Sequence, residues 1–322
     1  MGTSLCFFAR LSRSETISEI DGIKTDVIEL DDDLRPFGIV NGPNYRKHRP
    51  FMGGDEISVL CKNFSGTIGF IFRMNGKDYL LTNYHVVWGL DSTTLDTIGR
   101  KVVQPKSSLS EDIIGTVIRQ IIPNGICDAA LIELNQQISI DDPVYPNLGW
   151  NAKGSTWDKN ADNYKINFPS MGYEVPICGF PHHHKLFDGY IRDTRYSLDG
   201  YVSGPAGLGM TVAGERVWKQ GRTSGYSSGS IVATNFNCYI NYGVSNLGND
   251  GSVYFEDQIL VMPREEYNDF PCMASAGDSG SVIIDPNNWV VGLIFAKSSD
   301  GKGIICSPIQ EVFKCLFSGA EL

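Results

Sequence analysis

Nowhere in these 322 residues is there an apolar run approaching the ~20 residues that cross a bilayer as a helix. Phe7-Phe8-Ala9 is too short for the apolar core of a secretory leader, and no basic residue precedes it. Met1-Gly2 is followed by Cys6 where a myristoylation pattern carries Ser or Thr, so no lipid anchor is expected. A cytoplasmic chain free of membrane is the resulting expectation. Positive charge is scarce too: 27 Lys and Arg stand against 37 Asp and Glu, a formal net charge of −10. Phosphate binding needs a concentrated basic face, so no nucleic-acid partner is expected. The cluster Glu29, Asp31, Asp32 and Asp33 reads as solvated surface. The eight cysteines include no Cys-x-x-Cys pair, which removes the usual signature of a zinc knuckle or redox dithiol. Cys61, Cys127, Cys178, Cys238 and Cys306 stand singly in apolar segments, where a free thiol behaves as a small hydrophobe. Reduced thiols in a reducing compartment are expected.

What the chain has in quantity is glycine, 35 residues, punctuating short apolar runs. That pattern favours many short strands over long helices, and an all-β fold. Residues 1–50, with Pro36, Pro43, Pro50 and a basic patch at Arg46, Lys47 and Arg49, read as an N-terminal extension. A first strand-rich unit is expected over 51–145. Within it, apolar runs at 66–74 and 77–82 flank Asn75-Gly76, a pair that tolerates the positive φ of a type I′ hairpin turn. Further strands are expected at 101–104, 113–122 and 129–134. Residues 146–210 read as a connection rich in Pro, Asn, Asp and Gly, anchored by Trp150 and Trp157, with a strand at 175–180. A second strand-rich unit is expected over 211–322. Its strands fall at 211–218, 226–233, 238–244, 258–262, 281–284, 289–296 and 303–306. Ile309, Val312, Phe313 and Leu316 have helical spacing and predict a terminal helix packed on that unit.

Three segments carry chemistry together. Leu81-Thr82-Asn83-Tyr84-His85-Val86-Val87 presents an imidazole at the end of a predicted strand. Cys127-Asp128-Ala129-Ala130-Leu131 presents a carboxylate just before another, and Ser275-Ala276-Gly277-Asp278-Ser279-Gly280-Ser281 presents a hydroxyl. A serine hydroxyl is a weak nucleophile at neutral pH and needs a base, which in turn needs a group to orient it. Ser279 would attack a carbonyl carbon, His85 would take and return its proton, and Asp128 would hold the imidazole tautomer. Backbone N–H groups of Gly277 and Ser279 would receive the oxyanion, with glycine giving the peptide plane the freedom to turn there. Each segment alone reads as readily as an acidic turn, a structural histidine or a strand start. Their order His, Asp, Ser, across two strand-rich halves, favours the joint reading.

That order, with those motifs, resembles the chymotrypsin-fold (trypsin-like) serine proteases. The segment Val217-Trp218-Lys219-Gln220-Gly221-Arg222-Thr223-Ser224-Gly225-Tyr226-Ser227-Ser228-Gly229 is similar to a hairpin of the alpha-lytic-type bacterial branch, without its flanking disulfide cysteines. Val86 stands where trypsins have a cysteine. The resemblance spans roughly residues 55 to 317. It implies two six-stranded antiparallel β-barrels with a C-terminal helix and the site between them, His85 and Asp128 from the first and Ser279 from the second. Phe295 stands where many relatives carry a serine that helps hold the catalytic Asp. Met273 replaces the acidic base of a trypsin-like specificity pocket. With Ala274, Ile294, Phe295 and Ala296 it implies an apolar substrate-binding pocket for small or medium aliphatic side chains. No Ile-Val-Gly-Gly-type start is present to pair with Asp278, so Asp278 is either satisfied internally or served by another element.

A serine endopeptidase acting on protein or peptide substrates through an acyl-enzyme is the expected function, with no metal and no organic cofactor. Regulation is left to the N-terminal extension or a separate partner. A peptide-binding scaffold with little turnover, or an esterase using the same three residues, are the alternatives. His182-His183-His184 cannot all aim at one ion from a strand, because side chains alternate faces. They read as an exposed loop, and Arg195 and Arg222 as surface ion pairs.

Overall fold

A computed structural model describes residues 47–49, 51, 53–74, 77–90, 93–135, 207–247, 250–263, 273–286, 289–298 and 302–317. It also describes the backbone of short strands at 19–20, 23–24, 156–157, 165–168, 173–176, 194–196 and 200–202. Those short strands pair among themselves, antiparallel, in three separate small ladders. Residues 175 and 176 of the strand expected at 175–180 belong to one of them. The rest of that strand, Trp150, His182–His184 and the Asn75-Gly76 turn lie outside the described residues.

The first sheet contains β1 (Glu56–Val59), β2 (Ser65–Thr67), β3 (Phe70–Met74), β4 (Lys77–Thr82), β5 (Lys101–Val103), β6 (Ile113–Ile121) and β7 (Ala129–Leu134). Its order is β2-β1-β5-β6-β7-β4-β3. The two end strands, β2 and β3, are separated in the chain by Ile68 and Gly69 alone, so the sheet curls to bring its edges near each other. Met74 pairs with Lys77, which leaves the two-residue hairpin connection the sequence predicts. β4 is buried on both faces because each face has its own core. Leu80 packs with Ile57, Ile71 and Ile132 inside the curl, while Tyr79 and Leu81 pack outside it.

The second sheet contains β8 (Gly207–Leu208), β9 (Arg216–Gly221), β10 (Gly225–Asn241), β11 (Ser252–Pro263), β12 (Val282–Ile284), β13 (Trp289–Lys297) and β14 (Ile304–Pro308). The last six pair antiparallel in a cycle, β9-β10-β11-β14-β13-β12 and back to β9. The two-residue β8 is an addition, parallel to β13 and outside the ring. Where the sequence pattern predicts two strands, β10 is one. It runs continuously through the polar stretch Thr234–Asn237 because three register irregularities against β11 absorb it.

The helix α2 (Ile309–Phe317) buries Ile309, Val312, Phe313 and Leu316, one stripe of its surface. It packs on the second sheet, as expected, and on the first sheet as well. Its stripe shares a core with Phe70, Phe72 and Leu131 of the first sheet as well as Val282 and Leu293 of the second. Phe313 meets the rings of Phe70 and Phe72 at 6.1 and 5.5 Å, and Arg119 of β6 donates to the Leu316 carbonyl at 2.6 Å. The basic residues near position 47 are fastened to the first sheet. Lys47 meets Asp112 at 2.6 Å, His48 meets buried Asp55 at 2.8 Å, and Arg49 donates to the Gln104 carbonyl at 3.1 Å. Among the described residues no helix is long and apolar enough to cross a membrane.

Five cysteines are described, and all are free. Cys127, Cys238 and Cys306 are buried as expected, whereas Cys61 is exposed at a turn with φ +63°.

Candidate active site

His85 does not sit at the end of a strand, as its sequence context suggests. β4 ends at Thr82, Asn83 stays extended (φ −80°, ψ 153°), and His85 lies in the first turn of a short helix, α1 (Tyr84–Trp88). All five residues of α1 are buried, and Gly89, at φ +70°, ends it. Asn83 Nδ2 donates to the Asp128 carbonyl at 2.8 Å, tying the helix entry to the segment before β7.

His85 and Asp128 are both fully buried and meet twice. The backbone N–H of His85 donates to Asp128 Oδ1 at 3.1 Å, and His85 Nδ1 lies 2.6 Å from Asp128 Oδ2. An ionised carboxylate only accepts, so Nδ1 carries the proton in that pair and the lone pair of a neutral imidazole falls on Nε2. A third donor, which the sequence did not reveal, is Tyr242. Its hydroxyl donates to Asp128 Oδ2 at 2.8 Å, and its ring meets His85 edge-on with centroids 6.0 Å apart. Phe295 takes no part in this. It stacks on Phe255 at 4.7 Å in a core that also holds Tyr84 and Trp88.

Ser279 comes from the second half of the chain and docks on β2. Its carbonyl accepts from the Thr67 N–H at 2.8 Å, and Thr67 Oγ1 donates to the Gly277 carbonyl at 2.8 Å. Gly66 explains the closeness of this docking. A β carbon there would lie 2.8 Å from both the Ser279 carbonyl oxygen and a methyl of Val86. The residue after the imidazole and the residue bearing the hydroxyl thus converge on one glycine. Ser279 Oγ and His85 Nε2 are not hydrogen-bonded to each other. Ser279 Oγ and His85 Nε2 are both buried, and neither has a hydrogen-bond partner among the described residues.

The loop before Ser279 is set by the segment Gly221–Gly225. Asp278, fully buried, accepts from the Thr223 and Ser224 N–H groups at 2.9 and 3.2 Å, from the Ser275 N–H at 2.9 Å, and from the Ser224 hydroxyl. The ammonium of Lys219, also fully buried, pairs with it at 3.2 Å. Burial pushes the Asp278 carboxyl up, but Lys219 and these donors outweigh it and hold the group below the ordinary carboxylate value. Burial lowers the Lys219 ammonium, against the pull of Asp278. Gly221 is glycine because the Asp278 side chain occupies the place of a β carbon. Asp278 is therefore satisfied internally. Arg222 is not a surface residue: it is 1% exposed, pairs with Glu56 Oε1 at 3.1 Å and lies against Gly277.

The hydroxyl of Thr223 accounts for the orientation of one peptide. It donates to the Ala276 carbonyl at 2.7 Å, and across that trans peptide the Gly277 N–H points the opposite way. Gly277 has φ +100°, open to glycine and strained for other residues. Neither the Gly277 nor the Ser279 N–H donates to a protein acceptor among the described residues.

Met273, Ala274, Ile294, Phe295 and Ala296 are all buried, at 0–1% exposure. Met273, Ala274 and Ile294 belong to the interior of the second ring, and Phe295 and Ala296 to the core under α1. Ser227 Oγ holds the Met273 carbonyl at 2.7 Å. The described residues contain no group of three His, Cys, Asp or Glu suited to a metal ion.

No family model matches the sequence, and no curated protein does. Solved structures do. Protease A of Thermobifida fusca is 16% identical, with 82% of this chain and 94% of that one covered at a TM-score of 0.47. A Nocardiopsis protease is 15% identical, covering 82% and 95% at 0.47. An alpha-lytic protease homologue, N4, is 14% identical, covering 82% and 95% at 0.43.

Proposed function

We propose that the protein is a serine endopeptidase in which Ser279, His85 and Asp128 form an acylating triad. The observation that carries this reading is the pair of buried, unpaired atoms, Ser279 Oγ and His85 Nε2, with Nδ1 already committed to Asp128. A serine beside an imidazole whose free nitrogen is the basic one has the donor and acceptor that proton abstraction requires. Hydrogen bonds between such pairs are often long in the absence of substrate and tighten only when it arrives. Ser279 Oγ then attacks the scissile carbonyl carbon as Nε2 takes its proton. The oxyanion is received by the Gly277 and Ser279 N–H groups, one of them aimed by Thr223. The imidazolium, steadied by Asp128, returns the proton to the leaving amine, and water repeats the cycle on the acyl-enzyme.

The resemblance would make Met273, Ala274, Ile294, Phe295 and Ala296 the lining of an apolar pocket, which would favour small or medium aliphatic residues at the cleaved position. A cationic side chain there would be buried without a counter-charge. Protein or peptide substrates follow, with no metal or organic cofactor in the reaction. The open Ser279–His85 contact also favours a second reading, a scaffold that holds peptides and turns them over slowly.

Labelling with a fluorophosphonate decides between them. The parent protein is expected to be labelled, and Ser279→Ala and His85→Ala are expected not to be. A folded parent that stays unlabelled would overturn the triad in favour of the scaffold. A labelled parent that hydrolyses simple esters and no member of a peptide library would indicate an esterase.

A further inference from the structure

We infer that Tyr242 is a positioning residue for the proposed triad, holding the Asp128 carboxylate from the second half of the chain. The inference rests on the triad reading, and it begins with where Tyr242 stands. The residue follows directly on β10, at the tip of the long β10–β11 hairpin. Its backbone is fixed there, its N–H donating to the Gly251 carbonyl at 2.7 Å and the next residue turning at φ +71°. From that tip the ring passes between the halves and ends against a carboxylate 114 positions earlier in the sequence.

Asp128 offers two oxygens. Oδ1 is taken by the His85 backbone N–H, and Oδ2 receives both His85 Nδ1–H and the Tyr242 hydroxyl. Both other donors come from His85 itself, so among the described residues Tyr242 is the one hydrogen-bond donor to the carboxylate that does not move with the imidazole it is to orient. The carboxylate in turn fixes the ring of His85, so the tautomer depends on Tyr242 at one remove. The hydroxyl is suited to the task because it is held neutral: burial above all, and then the Asp128 charge, push its pKa far up. It donates without neutralising the carboxylate, as a Lys or Arg in its place would do.

Other titratable groups border this site. Tyr84 is raised by burial and by Asp128, Cys127 by its hydrogen bond with Cys315 and by burial, and Cys238 by burial to about 12. All three are uncharged near neutrality, so none of them brings a charge of its own to the Asp128–His85 pair. Phe295 stands where the resemblance would place a serine donor. Tyr242 supplies that missing hydrogen bond from a different strand, with the ring packing of an aromatic core around it.

The test compares Tyr242→Phe with the parent in the full chain by two independent readouts. The first is the ¹⁵N shifts of the His85 ring nitrogens, which report where the imidazole proton resides whether or not the protein has activity. The parent is expected to show a proton on Nδ1, and Tyr242→Phe a mixture of tautomers. The second is the rate of fluorophosphonate labelling, expected to be roughly ten- to a hundredfold slower in Tyr242→Phe, the loss of one hydrogen bond to a charged group. Phe255→Leu, a packing change in the same core that touches neither Asp128 nor His85, is expected to lower Tm while leaving the ring shifts at parent values. Ring shifts in Tyr242→Phe identical to the parent's would overturn the inference. So would Phe255→Leu changing them as much as Tyr242→Phe does. An unlabelled parent would sink the triad reading instead, and the ring shifts would still decide whether Tyr242 holds Asp128.

Discussion

Two buried carboxylates organise the site, and they are treated in opposite ways. Asp128 is surrounded by uncharged donors: the His85 backbone, the His85 ring and the Tyr242 hydroxyl. Asp278 is surrounded by the Lys219 cation and four hydrogen-bond donors from the loops beside it. The first keeps its charge exposed to one neighbour, the imidazole, where a charge can steady a developing imidazolium. The second has its charge cancelled by a cation of the same chain, and serves to shape the Gly277–Ser279 turn. On the proposed triad reading, chemistry and architecture are thus divided between two aspartates, and the identity of the counter-group distinguishes them.

The largest expected break in that division is Asp128→Asn. The amide nitrogen of the substituted side chain would donate to Nδ1 and shift the imidazole proton to Nε2, where it blocks attack. Labelling of Ser279 is expected to slow on the order of 10⁴-fold with Tm little changed. A variant labelled within about tenfold of the parent would show that Asp128 does not set the tautomer.

Lys219→Met breaks the other side. It strips Asp278 of its cation inside the core and is expected to destabilise the fold by ~3–5 kcal/mol, read as a large fall in Tm. Adding Asp278→Asn to Lys219→Met should recover much of the loss, because the uncompensated charge is gone. If the single variant melts with the parent, the buried pair is not what holds the loop.

The smallest effect sharpens the surroundings of Asp128. Cys127, its neighbour in sequence, hydrogen-bonds Cys315 of α2, and this contact lowers the Cys315 thiol to about 7. Cys315 gains its thiolate, and its reactivity, as pH rises through that value. Iodoacetamide should therefore modify Cys315 with a midpoint near pH 7, leave Cys127 untouched in the folded protein, and show a higher midpoint in Cys127→Ala. An alkylation midpoint that stays put in Cys127→Ala would remove the thiol contact from the picture.

The order His85, Asp128, Ser279 is legible in the sequence because each lies in a short local motif. The strands 129–134 and 282–284 and the helix over 309–317 are legible because their apolar periods are clean. Tyr242 is not, since its partner is distant in sequence and the residue falls inside the strand expected at 238–244, where nothing marks its hydroxyl for a buried carboxylate. Lys219 is not either: it lies just past the strand expected at 211–218, and its buried partner Asp278 is 59 positions away in the chain. Leu80-Leu81-Thr82 reads as a strand that carries His85 at its end. The short α1 becomes visible only with its extended Asn83 entry and its left-handed Gly89. That α2 leans on both sheets is also hidden, for its apolar stripe fits either equally well.

That last feature bears on how the protein is made. Residues 309–317 follow every strand of both sheets in the chain, so vectorial synthesis delivers them after the strands they cover. Until they leave the ribosome, Phe70, Phe72 and Val282 lack the aromatic lid that Phe313 provides. Among the elements of this shared core, the segment that bridges the two sheets is thus the last to be synthesised.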